Sequence, residues 1–272
     1  MSEPQLTFIG GGNMATSIIG GLIAQRFPAN AITACDPLEE NLQKLKDNFN
    51  ISTSTDNGQG VANADAVLLA VKPQIMKKVC EQLKPFLKEN VVIISIAAGI
   101  PVNSISEWIG NHLAIVRCMP NTPALVQQGA SGLYANKNTS SQQKDIANKI
   151  LCAVGIVEWL NEERLLDAVT AISGSGPAYF FLFMESMIEA GIKQGLTADT
   201  AKNLAIQTCL GAGLLAQKSD VDVAELRQRV CSPGGTTIEA VNSFETDNIK
   251  AIVERAMQAC ADRAVEMAEE LQ

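Results

Sequence analysis

The chain has 272 residues, of which 47% are hydrophobic, and it carries a formal net charge of −8 at pH 7. This length and composition indicate a globular protein with enough apolar side chains for two domain cores. The acidic balance contains no basic cluster, which argues against nucleic acid as a partner.

Residues 5–9 form a predicted strand that runs into Gly10-Gly11-Gly12-Asn13-Met14-Ala15 and then into an apolar helix. This G-x-G-x-x-A pattern between a strand and a helix is typical of dinucleotide-binding Rossmann folds. Gly10 would make the tight turn, Gly12 would let the backbone approach a pyrophosphate, and Ala15 would keep the helix close to the strand. The segment therefore predicts a dinucleotide at the N-terminus of the first helix.

Asp36 follows the second predicted strand, 31–34, at the position where a Rossmann fold usually binds the adenosine ribose. An acidic side chain there would accept a hydrogen bond from a free ribose hydroxyl and repel a 2′-phosphate. Taken by itself, Asp36 favours NAD over NADP. The alternative is that Asp36 caps the next helix, which is predicted to begin near Leu38.

Further strands alternate with helical stretches as far as residue 161 and predict a doubly wound α/β domain over 1–161. These strands are predicted at 66–71, 91–97, 113–118, 132–135 and 156–160.

Three of these strands end in unusual loops at the sheet edge where α/β folds bind ligands. The first is followed by Lys72-Pro73, and Lys72 could reach a cofactor phosphate, a ribose or the substrate, or could simply be solvated. The second ends in Ser95-Ile96-Ala97-Ala98-Gly99, which is small enough for a nicotinamide ring to lie against the backbone. Met119-Pro120-Asn121-Thr122-Pro123 follows the third.

The strand pattern then stops, and residues 162–272 are predicted to form an all-α domain rich in small residues. Its last helix has apolar residues at three- and four-residue spacings and Thr246 or Asp247 as a start signal. Helices at 177–193 and 198–217 are also strongly apolar. A short helical domain this apolar favours coverage by a second subunit, so we expect a homodimer.

The sequence Cys231-Ser232-Pro233-Gly234-Gly235-Thr236-Thr237 places glycines and hydroxyls directly ahead of a predicted helix. Gly234 and Gly235 let the backbone come close to a ligand, and the amides of the first helical turn point at whatever binds. The loop contains no lysine or arginine, so it would suit a small carboxylate. The alternative is an ordinary helix cap with Thr236 or Thr237 as the N-cap residue.

The single histidine, His112, lies in a predicted loop, so the usual imidazole acid/base group of hydroxy-acid dehydrogenases has no evident candidate. A protonated imine needs little such help, because it is already electrophilic and accepts a hydride directly. The residues therefore point to an imine reductase.

The seven cysteines have neither the spacing of metal ligands nor that of a disulfide framework, so no metal is predicted. The longest apolar runs, such as 66–71 and 91–98, are too short to span a bilayer. We expect no membrane partner and a cytoplasmic location.

With these residues assembled, the chain resembles the pyrroline-5-carboxylate reductase family from Phe8 to the last helix. The most specific part of the resemblance is Ser232-Pro-Gly-Gly-Thr-Thr-Ile-Glu-Ala240. The other motifs at the family's order and spacing are Ala70-Val-Lys-Pro73, Ala97-Ala-Gly99, Asn121-Thr-Pro123 and Ser173-Gly-Ser-Gly-Pro-Ala-Tyr179.

The resemblance implies an N-terminal Rossmann domain and a C-terminal helical dimerisation domain. It also implies a homodimer, which in the family often assembles into rings. The implied reaction is the reduction of a cyclic imino acid, L-1-pyrroline-5-carboxylate, to L-proline, the last step of proline biosynthesis. Most of the family prefers NADPH, so we expect NADPH, with NADH as the alternative. Asp36 departs from the family pattern, because relatives can place there a serine that accepts the 2′-phosphate.

The resemblance also implies the site residues. Glu163 is similar to a residue that lines the substrate pocket. The amides of Gly234, Gly235 and Thr236 would hold the substrate carboxylate, and the Thr237 hydroxyl would orient the imine nitrogen. The implied cofactor contacts are Gly10, Gly11, Gly12, Asn13, Met14, Ala15, Asn57, Ala70, Val71, Lys72, Pro73, Ala97 and Ala98.

Two other functions use similar motifs. A β-hydroxyacid dehydrogenase shares the Rossmann-plus-helical plan and uses a lysine deep in the helical domain, for which Lys193 and Lys202 are the candidates. A non-catalytic NADPH-sensing protein would keep the first glycine motif and use the second site to recognise an amino acid. The intact loop 232–237 argues against the sensing protein.

Overall fold

The computed structural model describes residues Glu3 to Glu270. These residues form two compact units: one extends to Ser175 and resumes at Ala259, and the other is Gly176–Gln258. The first unit is built on one sheet flanked by helices, and the second consists of helices.

The sheet of the first unit has eight strands in the order β3-β2-β1-β4-β5-β6-β7-β8. Neighbouring strands are parallel except β6 and β7. The strand order reverses between β1 and β4, and ligands of such sheets bind beyond the carboxyl ends of the strands at this point. The strands are Leu6–Ile9, Ile32–Cys35, Ser52–Ser54, Ala66–Leu69, Val92–Ser95, Ala114–Met119, Gly129–Ala135 and Gly155–Trp159, for β1 to β8.

Helices connect the strands of the first unit. A π-helical turn, Thr170–Gly174, follows the last of these helices. They are Asn13–Ala24, Glu39–Phe49, Asn57–Val61, Pro73–Leu83, Val102–Ile109, Ser141–Cys152 and Leu165–Val169, for α1 to α7. The remaining helices are Gly176–Lys193, Ala198–Lys218, Val223–Val230, Thr236–Thr246 and Ile249–Glu270, for α8 to α12.

Apolar side chains cover both faces of the sheet. Side chains alternate along a strand, so Phe8 and the adjacent Ile9 are buried in opposite clusters. Ile18 of α1 packs on the Phe8 side, and Met76 of α4 packs on the Ile9 side. Burying a side chain of this size stabilises the fold by about 1.5–3 kcal/mol. The α/β Rossmann-type architecture expected for the N-terminal part is confirmed.

The strand register brings several predicted loops to the same sheet edge. Ile9 at the end of β1 lies opposite Cys35 on one side and Leu69 on the other. Leu69 pairs with Ser95, and Ser95 pairs with Arg117. The glycine motif after β1 and the loops after β4 and β5 therefore start at one edge.

Three details differ from the predicted elements. The strand β3, Ser52–Ser54, has no apolar alternation, and its pairing with β2 defines it. The strand predicted over 132–135 begins earlier, at Gly129, because its start pairs with Gly155 of β8. The last helix begins at Ile249, because Asn248 has a left-handed φ of 56° that interrupts the helix ahead of it.

The helical unit exposes apolar side chains on α8, where Phe180, Phe181 and Leu182 are 61%, 63% and 63% exposed. Apolar patches of this kind mark interaction surfaces. By length and hydropathy alone, one helical stretch in the described part of the chain, Leu165–Lys193, could cross a membrane. Core helices of proteins that do not cross membranes meet the same criteria.

Candidate active site

The glycine motif begins with a turn that only glycine can make without strain. Gly10 has a φ of 102°, and a methyl group on its Cα would lie 2.6 Å from the carbonyl oxygen of Ala70. The Gly10 amide donates to the Cys35 carbonyl at 2.7 Å, which fixes the loop to the end of β2. Ala15 is fully buried where α1 meets the sheet. These positions match the turn and packing roles predicted for Gly10 and Ala15.

The N-terminus of α1 is open for a ligand. Gly12 is the N-cap residue, and within the described residues no side chain caps this helix. A methyl group on Gly12 would meet nothing within 4 Å. Asn13 is exposed and Met14 is half-buried, and their amides belong to the first turn, whose amides have no partner inside a helix. The site fits a pyrophosphate, which binds such amides.

Asp36 is buried and fixes the glycine motif. Its Oδ2 accepts a hydrogen bond from the Gly11 amide at 2.7 Å, and its Oδ1 accepts one from the Leu38 amide at 2.9 Å. Both donor residues lie outside α2, which begins at Glu39. Asp36 therefore does not cap this helix, and the capping alternative is wrong. Asp36 thus stands at the ribose end of the predicted dinucleotide site with its carboxylate held in one orientation.

A cavity of about 260 Å³ lies beside the glycine motif. It joins three predicted cofactor residues that are far apart in the sequence, namely Gly10, Asn57 and Val71. Lys78 of α4 also lines it and was not predicted. A lysine in the middle of a helix gives no sequence signal of this kind, because the fold of α4 against β1 decides where it lies.

The segment after β4 meets the glycine motif directly. The Ala70 amide donates to the Ile9 carbonyl at 2.8 Å. Lys72 is the N-cap residue of α4 with an exposed side chain, and Pro73 occupies the first helical position, where its missing amide costs nothing. The three residues lie at the edge of the sheet that carries Gly10, as predicted.

The segment after β5 is short and closely held. The Ile96 amide donates to the Leu69 carbonyl at 3.2 Å, and the Ala97 amide donates to Ser95 Oγ at 3.4 Å. Ala97 is buried and Ala98 is half-buried. The alanine side chains here are small, and the segment lies beside the loop after β4.

The Glu163 side chain accepts two hydrogen bonds, both from residues of the first unit. Its Oε1 accepts from the Val102 amide at 2.8 Å and from Arg117 Nη1 at 3.0 Å. Burial raises the pKa of the nearby Asp167 carboxyl; the Arg117 charge opposes this rise and the Glu163 charge adds to it. The sequence did not predict Arg117, because its partners are remote along the chain.

A second cavity, of about 240 Å³, lies next to this cluster. Its lining includes Ala98, Arg117, Asp167 and Ser175. Ser175 Oγ lies 3.2 Å from Cys260 Sγ. The cavity therefore adjoins both Arg117 and the segment after β5.

In the helical unit, the loop ahead of α11 leaves the helix N-terminus uncapped by any side chain. Gly235 is the N-cap residue, so the alternative of Thr236 or Thr237 as a cap is wrong. Gly234 has a left-handed φ of 69°, and the Gly235 amide donates to the Ser232 carbonyl at 3.0 Å. The amides of Thr236 and Thr237 are therefore in the first turn, where an anion can accept from them.

The residues of the rival functions lie at the surface of the chain. His112 is exposed, and so are Lys193 at the end of α8 and Lys202 in α9. A dehydrogenase that uses a lysine deep in the helical domain would require a buried one, and neither lysine is buried within the single chain.

Two family models match the chain. Pyrroline-5-carboxylate reductase dimerisation matches residues 163–267, and NADP oxidoreductase coenzyme F420-dependent matches residues 5–99. The first covers α7 to α11 and most of α12, and the second covers the glycine motif and the segments after β4 and β5.

Relatives of known identity match over the whole length. A pyrroline-5-carboxylate reductase of Pseudomonas aeruginosa is 53% identical over 271 residues, covering 100% of this chain and 99% of the relative. The structure of one from Coxiella burnetii is 43% identical with a TM-score of 0.95, covering 98% of this chain and 99% of that one. The Plasmodium falciparum structure, with NADP bound, is 33% identical with a TM-score of 0.85 and the same coverage. The chain belongs to the pyrroline-5-carboxylate reductase family.

Proposed function

We propose that the first unit binds NAD(P)H at the carboxyl edge of its sheet and that the loop ahead of α11 binds the carboxylate of the substrate. The chain is an NAD(P)H-dependent oxidoreductase that reduces L-1-pyrroline-5-carboxylate to L-proline, the last step of proline biosynthesis. The assignment of particular residues to the two sites is our proposal.

The cofactor residues are proposed from the geometry of the edge. The open first turn of α1 would bind the pyrophosphate, with Gly11, Gly12, Asn13 and Met14 supplying backbone. The adenosine would lie toward Asp36 and the cavity beside Gly10. The full proposed set is Gly10, Gly11, Gly12, Asn13, Met14, Ala15, Asp36, Asn57, Ala70, Val71, Lys72, Pro73, Ala97 and Ala98.

The nicotinamide end is proposed to lie beside Ala97 and Ala98. These residues follow β5, which is the neighbour of β4 in the sheet. The strand order reverses between β1 and β4, so β5 lies one strand further from this point than β1, which carries the glycine motif. A dinucleotide that starts at Gly12 extends along this edge.

The substrate residues are proposed from the loop ahead of α11. The amides of Gly234 and Thr236 would donate to the carboxylate, and the Thr237 hydroxyl would hold the ring nitrogen. The Gly235 amide is bonded to the Ser232 carbonyl, so Gly235 is proposed to let the backbone come close to the substrate. Amides and a helix dipole can hold an anion without a cationic side chain. Glu163 belongs to the first unit, and only the resemblance to the family includes it among the substrate residues.

The reaction requires the protein to position the two reactants and to provide a favourable electrostatic environment. NAD(P)H supplies the hydride when bound. The carbon of the protonated imine accepts the hydride without a protein nucleophile. The residues therefore contribute by holding the two reactants in the orientation for hydride transfer. The Thr237 hydroxyl is the proposed catalytic group, because it would contact the imine nitrogen, whose double bond to carbon becomes a single bond in the reaction.

The observation that carries this assignment is the uncapped α11 N-terminus with Gly234 and Gly235 ahead of it. If these amides hold the carboxylate, 1-pyrroline, the same ring without that group, should be a poor substrate. We expect its kcat/KM to fall by about 100-fold at saturating cofactor, the effect of two charge-assisted hydrogen bonds. Equal kcat/KM for the two imines would remove the loop from substrate binding.

The assembly is a homodimer that acts on a small-molecule substrate. We further propose that dimers can assemble into a ring and that the apolar face of α8 is covered by protein rather than lipid. We also propose a cytoplasmic location, as expected from the sequence. We propose a domain boundary between residues 161 and 162, close to the start of the dimerisation match at 163, although the two compact units divide after Ser175.

A further inference from the structure

We propose that Glu163 positions the nicotinamide end of the cofactor site, acting through Val102 and Arg117 and not through contact with the substrate. This inference rests on the proposed cofactor site beside Ala97 and Ala98. It gives Glu163 a role in the reaction without a hydrogen bond to either reactant.

Glu163 serves as the cap of α5 from a distant part of the chain. The N-cap residue of α5 is Pro101, whose side chain has no polar atom. The Val102 amide instead donates to Glu163 Oε1 at 2.8 Å, across 61 residues of sequence. A carboxylate at this end of a helix is favoured by the helix dipole and satisfies an amide that has no partner within the helix.

The segment between β5 and α5 depends on this bond. One end is held by the Ile96 amide on the Leu69 carbonyl. Gly99 within it has a left-handed φ of 75°, a conformation that glycine can leave easily. The Val102 bond fixes the other end. Loss of the bond would free the backbone of Ala97 and Ala98, which is proposed to face the nicotinamide.

Arg117 completes the arrangement by holding the same oxygen. It lies on β6 opposite Ser95, the last residue of β5. The side chains of Arg117 and Glu163 are 11% and 26% exposed, so their ion pair is largely shielded from water. Removing one partner of a shielded pair leaves a charge uncompensated, which exposed pairs do not do.

The neighbouring Glu162 provides a matched control. Its carboxylate pairs with Arg164 at 2.7 Å, and these side chains are 56% and 73% exposed. Glu162→Ala removes the same chemical group one residue away, from a pair in water. We expect it to behave as the unsubstituted protein in every measurement below.

The test compares two ligands by isothermal titration calorimetry on the full chain. One is NADPH, and the other is 2′-phospho-ADP-ribose, which lacks the nicotinamide. We expect Glu163→Ala to weaken NADPH binding by about tenfold and to leave binding of the fragment within about twofold. Glu163→Gln keeps an acceptor for the Val102 amide and should weaken NADPH binding less.

A second readout is the primary deuterium isotope effect on kcat with NADPH deuterated at the transferred position. Misplacement of the nicotinamide should slow hydride transfer and increase this effect in Glu163→Ala. Unchanged binding of both ligands with only a raised KM for pyrroline-5-carboxylate would overturn the inference, because Glu163 would then contact the substrate. Equal weakening of NADPH and the fragment would also overturn it.

The measurements distinguish an error in the role of Glu163 from an error in the proposed cofactor site. Absence of NADPH binding to the unsubstituted protein would contradict the cofactor site itself. If Glu163→Ala does not fold, Glu163→Gln and Arg117→Lys test the same bonds with smaller changes. Melting temperatures of all variants identify a purely structural effect, which would lower stability and leave the isotope effect unchanged.

Discussion

The Asp36 carboxylate accepts a hydrogen bond from the Gly11 amide, with 2.7 Å between Oδ2 and the nitrogen. The residue that is expected to face the ribose therefore also holds the loop that is expected to face the pyrophosphate. A second bond, from the Leu38 amide, prevents the carboxylate from turning away. A fixed negative charge at this end of the site acts against a 2′-phosphate.

This relationship predicts a change of cofactor preference in Asp36→Asn. The amide side chain retains an oxygen for the Gly11 bond, loses the bond from the Leu38 amide and removes the charge. We expect the Kd for NADPH to fall by about tenfold while the Kd for NADH changes by less than about threefold. Direct binding titrations measure both. Asp47→Asn, which changes an exposed aspartate of α2, is the control, and a parallel change for both cofactors would show that charge is not the cause.

Gly10→Ala should destabilise the first unit and abolish cofactor binding. The added methyl group would lie 2.6 Å from the Ala70 carbonyl, and alanine rarely adopts the φ of 102° found here. We expect a loss of about 2 kcal/mol or more in the free energy of unfolding. Urea unfolding measures this loss. Gly12→Ala should retain stability, because the added methyl group would have no atom of the described residues within 4 Å. It should still weaken NADPH binding, because the methyl group would occupy space that the ligand is proposed to fill.

The buried thiol of Cys118 predicts a loss of stability at alkaline pH. Burial raises the pKa of this thiol from 9.0 to about 12. The unfolded chain thus releases the proton at a lower pH than the folded chain, so the stabilisation is complete below pH 9 and is lost as the pH rises toward 12. Each such thiol contributes a slope of at most about 1.4 kcal/mol per pH unit. Unfolding of Cys118→Val should show a shallower alkaline slope than the unsubstituted protein; parallel curves would contradict this account.

The exposed apolar side chains of α8 predict the dimer contact. Phe181 is 63% exposed in the single chain, and a charge at this position would be expensive to bury against a partner. We expect Phe181→Glu to shift the protein from dimer to monomer in light scattering after gel filtration. Glu185→Gln, an exposed change on the same helix, should leave the dimer intact. A dimeric Phe181→Glu would exclude this part of α8 from the interface.

The sequence predicted the parts of the site that depend on local patterns. Gly10, Gly12 and Ala15 follow a strand within one motif, so their roles can be read from their order. The segments around Lys72 and Ala97 also end predicted strands, and parallel strands bring their carboxyl ends to one edge. The Rossmann-type fold and the helical C-terminal part followed from the same periodic patterns.

Contacts between remote residues could not be predicted in this way. The bonds of Glu163 to Val102 and Arg117 span 61 and 46 residues, and they depend on how β5, β6 and the start of α7 pack. Lys78 reaches the cavity beside Gly10 because α4 lies against the sheet. The alternative of Thr236 or Thr237 as the N-cap residue of α11 is wrong, because hydroxyl side chains usually take that position and here Gly235 does.

The central claim is that the substrate is held by the loop ahead of α11 and the cofactor by the first unit. Its most direct test is kcat/KM for pyrroline-5-carboxylate together with the Kd for NADPH in Thr237→Ala, with Thr237→Ser and Ser243→Ala as controls. We predict that Thr237→Ala lowers kcat/KM by about 100-fold and leaves the NADPH Kd within about twofold, while both controls remain close to the unsubstituted protein. Unchanged kcat/KM in Thr237→Ala, or a matching loss of NADPH binding, would contradict the claim.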